Sequence, residues 1–432
     1  MTLTVFKNTQ FLWLAFTILT CFSCGSQTNT SAPLSTGTSN NEQEIPERVP
    51  NDKNIIMGAD QYEAYLPLFE GKRIGVVANQ TSIVSLHSVS HYENGFEETI
   101  DLKLHLVDYL KNQEVNIQKV FSPEHGFRGK ADAGEVVKDG FDTKTGLPIV
   151  SLYGKNKKPS KEQLAGIDLM VFDIQDVGVR FYTYISTMHY MMEACAENNI
   201  SFVVLDRPNP NGHYIDGPVL DMKYKSFVGM HPVPVVHGMT IGEYAQMING
   251  QKWLKNSVTC DLTVIKMKNY THQTSYSLPI KPSPNLPNDI SINLYPSLCF
   301  FESTKISVGR GTEMQFQIFG APNLSSEEYS FTFTPQANEG AKNPKFKGVL
   351  CHGKDLRNTQ KLDKLNLEWL IEAYVANGKK EDFFSSFFTK LAGTETLKAQ
   401  IEQGYTYREI RKTWLKDLKG YDVMRQEYLL YE

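Results

Sequence analysis

The 432-residue chain is poor in the local signals that mark the commoner binding chemistries. Of its six cysteines only Cys195, Cys260, Cys299 and Cys351 lie beyond the first 24 residues, and these are widely spaced and form no CxxC pair. That spacing excludes a zinc ribbon and a disulfide framework, and it implies buried free thiols. No sign of charge dominates: a formal net charge of −4 supplies no basic surface for nucleic acid. Neither GxGxxG nor GxxxxGK[ST] follows an apolar strand, so no nucleotide cofactor is expected. There is no GxSxG elbow for a serine hydrolase, no metal-loop spacing and no internal repeat. No metal or other cofactor is therefore expected.

Long apolar runs are also scarce. The run Phe11–Leu19 follows Lys7, the only charge before it, and is too short to span a bilayer comfortably. Residues 1–24 read as a signal-peptide region ending in Phe22-Ser23-Cys24-Gly25, a bacterial lipobox pattern with Cys24 as the lipidated residue and Cys21 as the alternative. Residues 25–53 are rich in Ser, Thr, Asn, Gln and Gly, a composition that cannot build a core and reads as a flexible tether. The expected location is the bacterial cell envelope, periplasm-facing, with a lipid anchor in the membrane.

The remainder alternates short apolar runs with amphipathic stretches. Strands are expected at 73–79, 117–121, 149–153, 169–172, 202–205 and 262–267, and helices at 101–112, 183–198 and 240–250. Near-continuous apolar strands imply a sheet covered on both faces, as in a parallel α/β fold. After a Pro-rich stretch (Pro279, Pro282, Pro284, Pro287), read as a linker or cleft wall, the pattern changes to an alternating strand at 330–334 and helices at 364–377 and 406–430. The expected architecture is α/β: a Rossmann-like parallel-sheet domain over 54–282, then a smaller α+β domain over 283–432 that contributes to the cleft.

What the chain does have is polar motifs where those strands stop. Glu124, in Ser122-Pro123-Glu124-His125-Gly126-Phe127-Arg128-Gly129, ends a strand in a tight turn beside aromatics. A carboxylate there can be partly desolvated and act as a general acid. The alternative is that it braces the loop against Arg128. Asp173 and Asp176, with Arg180, follow the strand at 169–172, and Tyr182 and Tyr184 supply either a sugar-stacking face or core. Asp206-Arg207-Pro208-Asn209-Pro210-Asn211-Gly212 is a proline-stiffened loop offering a guanidinium and two amides, and a rigid loop loses little entropy when a ligand arrives. His237 precedes a helix with Thr240 as its N-cap, and Gly309-Arg310-Gly311-Thr312-Glu313 frees the backbone around an arginine. Charged groups gathered at strand ends suit a polar, anionic substrate.

Together these motifs resemble one family, the NamZ-like exo-β-N-acetylmuramidases of glycoside hydrolase family 171, formerly a domain of unknown function. The resemblance rests on the segments above, with Ser186-Thr187-Met188, Gly217-Pro218, Ser283-Pro284-Asn285-Leu286-Pro287, Tyr295-Pro296 and Gly320-Ala321-Pro322, in this order. Met314-Gln315-Phe316 departs from it, because a proline is expected before the phenylalanine. The resemblance implies a cleft between a Rossmann-like domain and a smaller one, and hydrolysis of terminal non-reducing N-acetylmuramic acid (MurNAc) from peptidoglycan fragments in cell-wall turnover. Its partners would be peptidoglycan-derived saccharides or muropeptides. The expected catalytic set is Glu124 as general acid with Glu313, then Asp176, then Asp173, as second carboxylate. Expected substrate contacts are His125, Arg128, Asp173, Arg180, Tyr182, Arg207, Asn209, Asn211, His237, Asn285 and Arg310, since guanidinium groups bind the muramyl lactyl carboxylate well. Two rival readings use the same residues: a non-catalytic muropeptide-binding lipoprotein, and a metal-dependent hydrolase built on Asp173, Asp176 and His237.

Overall fold

A computed structural model describes residues 54–91, 97–129, 139–154 and 156–432. Cys24 and the expected tether at 25–53 lie outside the described residues. The strands are β1 (Ile74–Ala78), β2 (Ile83–His91), β3 (Glu97–His105), β4 (Ile117–Ser122), β5 (Gly140–Phe141), β6 (Pro148–Ser151), β7 (Leu169–Asp173), β8 (Ser201–Leu205), β9 (Leu262–Ile265), β10 (Ile318–Ala321), β11 (Phe331–Phe333) and β12 (Cys351–Asp355). The helices are α1 (Tyr62–Phe69), α2 (Leu106–Asn112), α3 (Lys161–Leu164), α4 (Tyr184–Glu197), α5 (Ile241–Gly250), α6 (Asp289–Leu298), α7 (Glu368–Ala376), α8 (Phe388–Ala392), α9 (Thr396–Glu402) and α10 (Tyr407–Gln426).

The main sheet has the order β5-β6-β4-β1-β7-β8-β9, parallel except for the edge strand β5. Alternation along each strand divides the core in two, because successive side chains point to opposite faces. Val77, Phe121, Phe172, Phe202 and Val204 enter one apolar cluster, while Ile74, Val76, Val120, Val171 and Val203 enter the other. The first cluster continues through α4 and α5 into Tyr295, Phe319, Leu370 and Trp414, so the C-terminal third shares its core with the sheet. That third carries the antiparallel sheet β10-β12-β11 among helices. Residues 53–432 form one compact unit. The four cysteines beyond the N-terminal region are buried and free.

The order of the strands positions the site. The chain runs from β1 outward through β4 to β6, then returns to the other side of β1 for β7, β8 and β9. The two halves diverge at the C-terminal end of β1, where an open α/β sheet leaves a crevice. One sequence expectation fails nearby. Residues 101–105 belong to β3, paired antiparallel with β2, and the helix starts only at Leu106. Leu102, Leu104 and Leu106 alternate with Asp101, Lys103 and His105, and partner strand β2 selects that period over the helical one. Thr240 caps α5 as expected, accepting from the Glu243 N–H in a capping box.

Candidate active site

A cleft of about 980 Å³ opens at the C-terminal ends of the parallel strands. Its walls come from the strand-end segments around Glu124, Tyr153, Thr183 and Phe227, and from Asn285, Glu302, Arg310 and Lys345 beyond them. Glu124 leaves β4 through a turn that places His125 at φ 69° and Gly126 at φ 80°. The left-handed pair turns the chain sharply, so Glu124 sits at the mouth of the sheet instead of extending it. Thr183 Oγ1, from the loop after β7, donates to Glu124 Oε2 at 2.8 Å. Because β4 and β7 flank β1, this bond spans the crevice. Burial first, and then the charge of Glu124, push the Tyr153 and Tyr184 phenols up, so both remain protonated donors. Tyr182 lines the cleft and donates to the Pro282 carbonyl at 2.8 Å. The Pro-rich stretch is thus a wall of the cleft.

Asn285 is buried in that wall. Its Nδ2 donates to the Gly340 carbonyl at 2.8 Å, and its Oδ1 has no donor among the described residues. Gly340 is required there: it sits at φ 90°, and a Cβ would approach Pro284 Cβ to 2.6 Å.

Of the expected site residues, the structure brings Glu124, His125, Tyr182, Asn285 and Arg310 to the cleft. The rest are engaged elsewhere. Asp173 and Arg207 are buried against each other in a two-pronged ion pair, Nε–Oδ1 2.5 Å and Nη2–Oδ2 2.8 Å. Arg128 is held by Asp142 at 2.8 Å and Asp108 at 3.2 Å. It braces the loop, but through these aspartates. Arg180 pairs with neither Asp176 nor an anion in the cleft. Its guanidinium is fully buried and donates to four carbonyls, those of Pro218, Val233, Leu391 and Ala392, at 2.8–3.0 Å. With no carboxylate beside it, burial pushes its pKa down to about 9.

Asp176 is buried, accepting from the Gly178 N–H at 2.7 Å, with His237 Nε2 at 3.6 Å. Asn209 Nδ2 donates to the Met239 carbonyl at 2.9 Å, and the side chain packs so closely on Gly178 that a Cβ there would meet it at 2.2 Å. Asn211 Nδ2 bonds the carbonyls of Val177 and Ile292. These two amides and His237 lock loops together and do not line the cleft. Glu313 is exposed and outside the cleft lining. Nor do Asp173, Asp176 and His237 form a metal centre: among the described residues, no group of three or more His, Cys, Asp or Glu is gathered to hold an ion.

The structure adds residues that no motif had marked. Glu302, in the turn Cys299–Ser303, lines the cleft and accepts from Arg310 Nε at 2.6 Å. Lys345 lines it too, and its Nζ donates to the carbonyls of Phe301, Glu302, Thr304 and Ile306 at 2.8–3.1 Å. The Lys345 ammonium therefore pins the turn that presents Glu302. Replacing it, Lys345→Ala, is expected to lower kcat/KM by about 10- to 100-fold, because small displacements of positioning groups are costly. Propylammonium added to the assay should restore part of the loss by refilling the carbonyl ring; no rescue in a folded variant would reject the pinning role. The only signal in the sequence is charge beside aromatics, which is too common to single these two residues out.

A strand-end carboxylate in a polar, cation-lined α/β cleft defines the class: a hydrolase of the glycosidase type, with a second domain-sized segment closing the site. The comparisons agree and are more specific. The models of exo-β-N-acetylmuramidase NamZ match residues 74–290 with the N-terminal part and 293–431 with the C-terminal part. The chain belongs to this family. It is 39% identical to the peptidoglycan β-N-acetylmuramidase NamZ of Bacillus subtilis (strain 168), over 85% of this chain and 89% of that protein. Two crystal structures of DUF1343 family proteins from Bacteroides fragilis superpose with TM-scores of 0.77 and 0.71, at 46% and 30% identity. Each covers 88% of this chain and 99% of the other.

Proposed function

We propose that this protein is an exo-acting β-N-acetylmuramidase that removes the terminal non-reducing MurNAc unit from peptidoglycan fragments, with Glu124 as the general acid. The observation that carries the reading is the placement of Glu124: it lies on the cleft, bonded by Thr183 from the opposite side of the crevice. A carboxyl group in that position can protonate the glycosidic oxygen as the C1–O bond breaks. The cleft also holds Lys157, Arg310, Lys342, Lys345 and Lys390 against Glu124 and Glu302 among its lining residues, which suits an anionic sugar.

In this reading residues 54–282 act as the domain that supplies the acid and residues 283–432 as the smaller one that supplies the wall carrying Arg310. Lipidation at Cys24 and the 25–53 tether would hold the catalytic unit at the bacterial envelope, facing the periplasm; the N-terminal sequence supports this part. The test is product analysis with protein lacking residues 1–53. Free MurNAc should appear from MurNAc-GlcNAc and not from GlcNAc-MurNAc. Release from neither would overturn the reading.

A further inference from the structure

Four arginines were expected to compete for the lactyl carboxylate of a muramyl substrate, and three are engaged away from the cleft: Arg128 by Asp108 and Asp142, Arg207 by Asp173, Arg180 by backbone carbonyls. Only Arg310 lines the cleft. Its Nε is held by Glu302 at 2.6 Å, and its guanidinium lies over the Phe316 ring with the carbon 5.2 Å from the centroid. The two terminal nitrogens make no hydrogen bond to any described residue. The group is thus held at Nε and supported by Phe316, and its terminal edge, two parallel N–H donors, is left without a described partner on a residue that lines the cleft. That edge is the shape a carboxylate binds in a fork-to-fork pair. Burial works against the charge of Arg310, but Glu302 outweighs it and holds the guanidinium protonated.

Arg310 also has a defined relation to the acid. Phe316 packs edge-on against Tyr295 (centroids 4.9 Å), and Tyr295 against Tyr182 (6.0 Å), the residue before the Thr183 that bonds Glu124. A row of packed aromatic rings in the same cleft therefore links the Phe316 that supports Arg310 to the segment that holds Glu124.

We propose that the terminal edge of Arg310, oriented by Glu302, receives the 3-O-lactyl carboxylate of the terminal sugar and thereby selects muramyl over glucosaminyl substrates. This inference rests on the muramidase reading above and adds the residue responsible for its specificity. Arg310 is a binding residue and Glu302 a positioning one.

The test uses the parent protein first. Inhibition of turnover of an aryl β-MurNAc glycoside is compared for MurNAc, MurNAc methyl ester and GlcNAc. The free acid should inhibit about 10- to 100-fold more tightly than the ester, the range expected for hydrogen bonds to a charged group. Equal inhibition by acid and ester would overturn the proposal without any variant having to fold. In Arg310→Gln the acid–ester difference should collapse, and the ratio of kcat/KM for muramyl over glucosaminyl aryl glycosides should fall by a similar factor, mainly through KM. Arg310→Lys, which keeps charge but loses the fork, should recover only part of it. A folded Arg310→Gln that keeps the parent's acid–ester difference would reject the assignment. If the parent hydrolyses no muramyl substrate, the muramidase reading fails; if it hydrolyses one without distinguishing acid from ester, only the role of Arg310 fails.

Discussion

Glu124→Gln is expected to lower kcat for release of MurNAc from MurNAc-GlcNAc by about 10²- to 10⁴-fold, with little change in KM. Glutamine is nearly isosteric and keeps an oxygen to accept from Thr183, so the bond across the crevice can persist while the transferable proton is lost. The loss should depend on the leaving group. A sugar alkoxide needs protonation as it departs, whereas 2,4-dinitrophenolate does not. Turnover of a dinitrophenyl MurNAc glycoside should therefore be reduced far less than that of the disaccharide. An equal loss with both would mean that Glu124 acts by position or charge and not as the acid. Undiminished disaccharide turnover would move the acid to another carboxyl group, with Glu302 the next candidate on the cleft.

The second large effect concerns stability. Arg207→Met is expected to destabilise the fold by about 3–5 kcal/mol, the usual consequence of leaving a buried charge without its partner. Asp173 sits fully buried at the end of β7, and Arg207 meets both of its oxygens while also donating to the Ile83 carbonyl at 3.0 Å. The pair thus ties together the segments that follow β1, β7 and β8, the ends that form the crevice. If the pair acts structurally, the double replacement Asp173→Leu with Arg207→Met should recover much of the loss, since buried pairs are often replaceable by apolar residues of similar volume. Urea denaturation of the two variants and the parent measures both quantities. An Arg207→Met protein as stable as the parent but with raised KM would return Arg207 to the substrate contacts.

Burial explains why these arginines could not be told apart in the sequence. Arg128, Arg180, Arg207 and Arg310 each stand in a loop with a Gly, Pro or acidic residue within two positions, and nothing local distinguishes them. The carboxylates are equally ambiguous. Glu313 is flanked by the better motif, yet it points outward, while Glu302 stands in the unremarkable run Phe300-Phe301-Glu302-Ser303 and reaches the cleft because its turn is pinned by Lys345, 43 residues on.

The sequence by itself determined the covered parallel sheet, because apolar side chains on both faces of each strand have nowhere to go but between two layers. It also determined the place of Glu124, since a Pro and a Gly around a carboxylate at a strand end leave the backbone few alternatives. Only the tertiary structure decided which charges neutralise one another and which face substrate. A charge is removed from the cleft by any partner within about 4 Å in a low-dielectric interior, where the Coulomb term is strong enough to hold it. Those partners arrive from 34 residues away for Arg207, and from 38, 53, 211 and 212 residues away for the four carbonyls that hold Arg180. Such distances belong to the way the layers stack, and no local pattern in the chain records them.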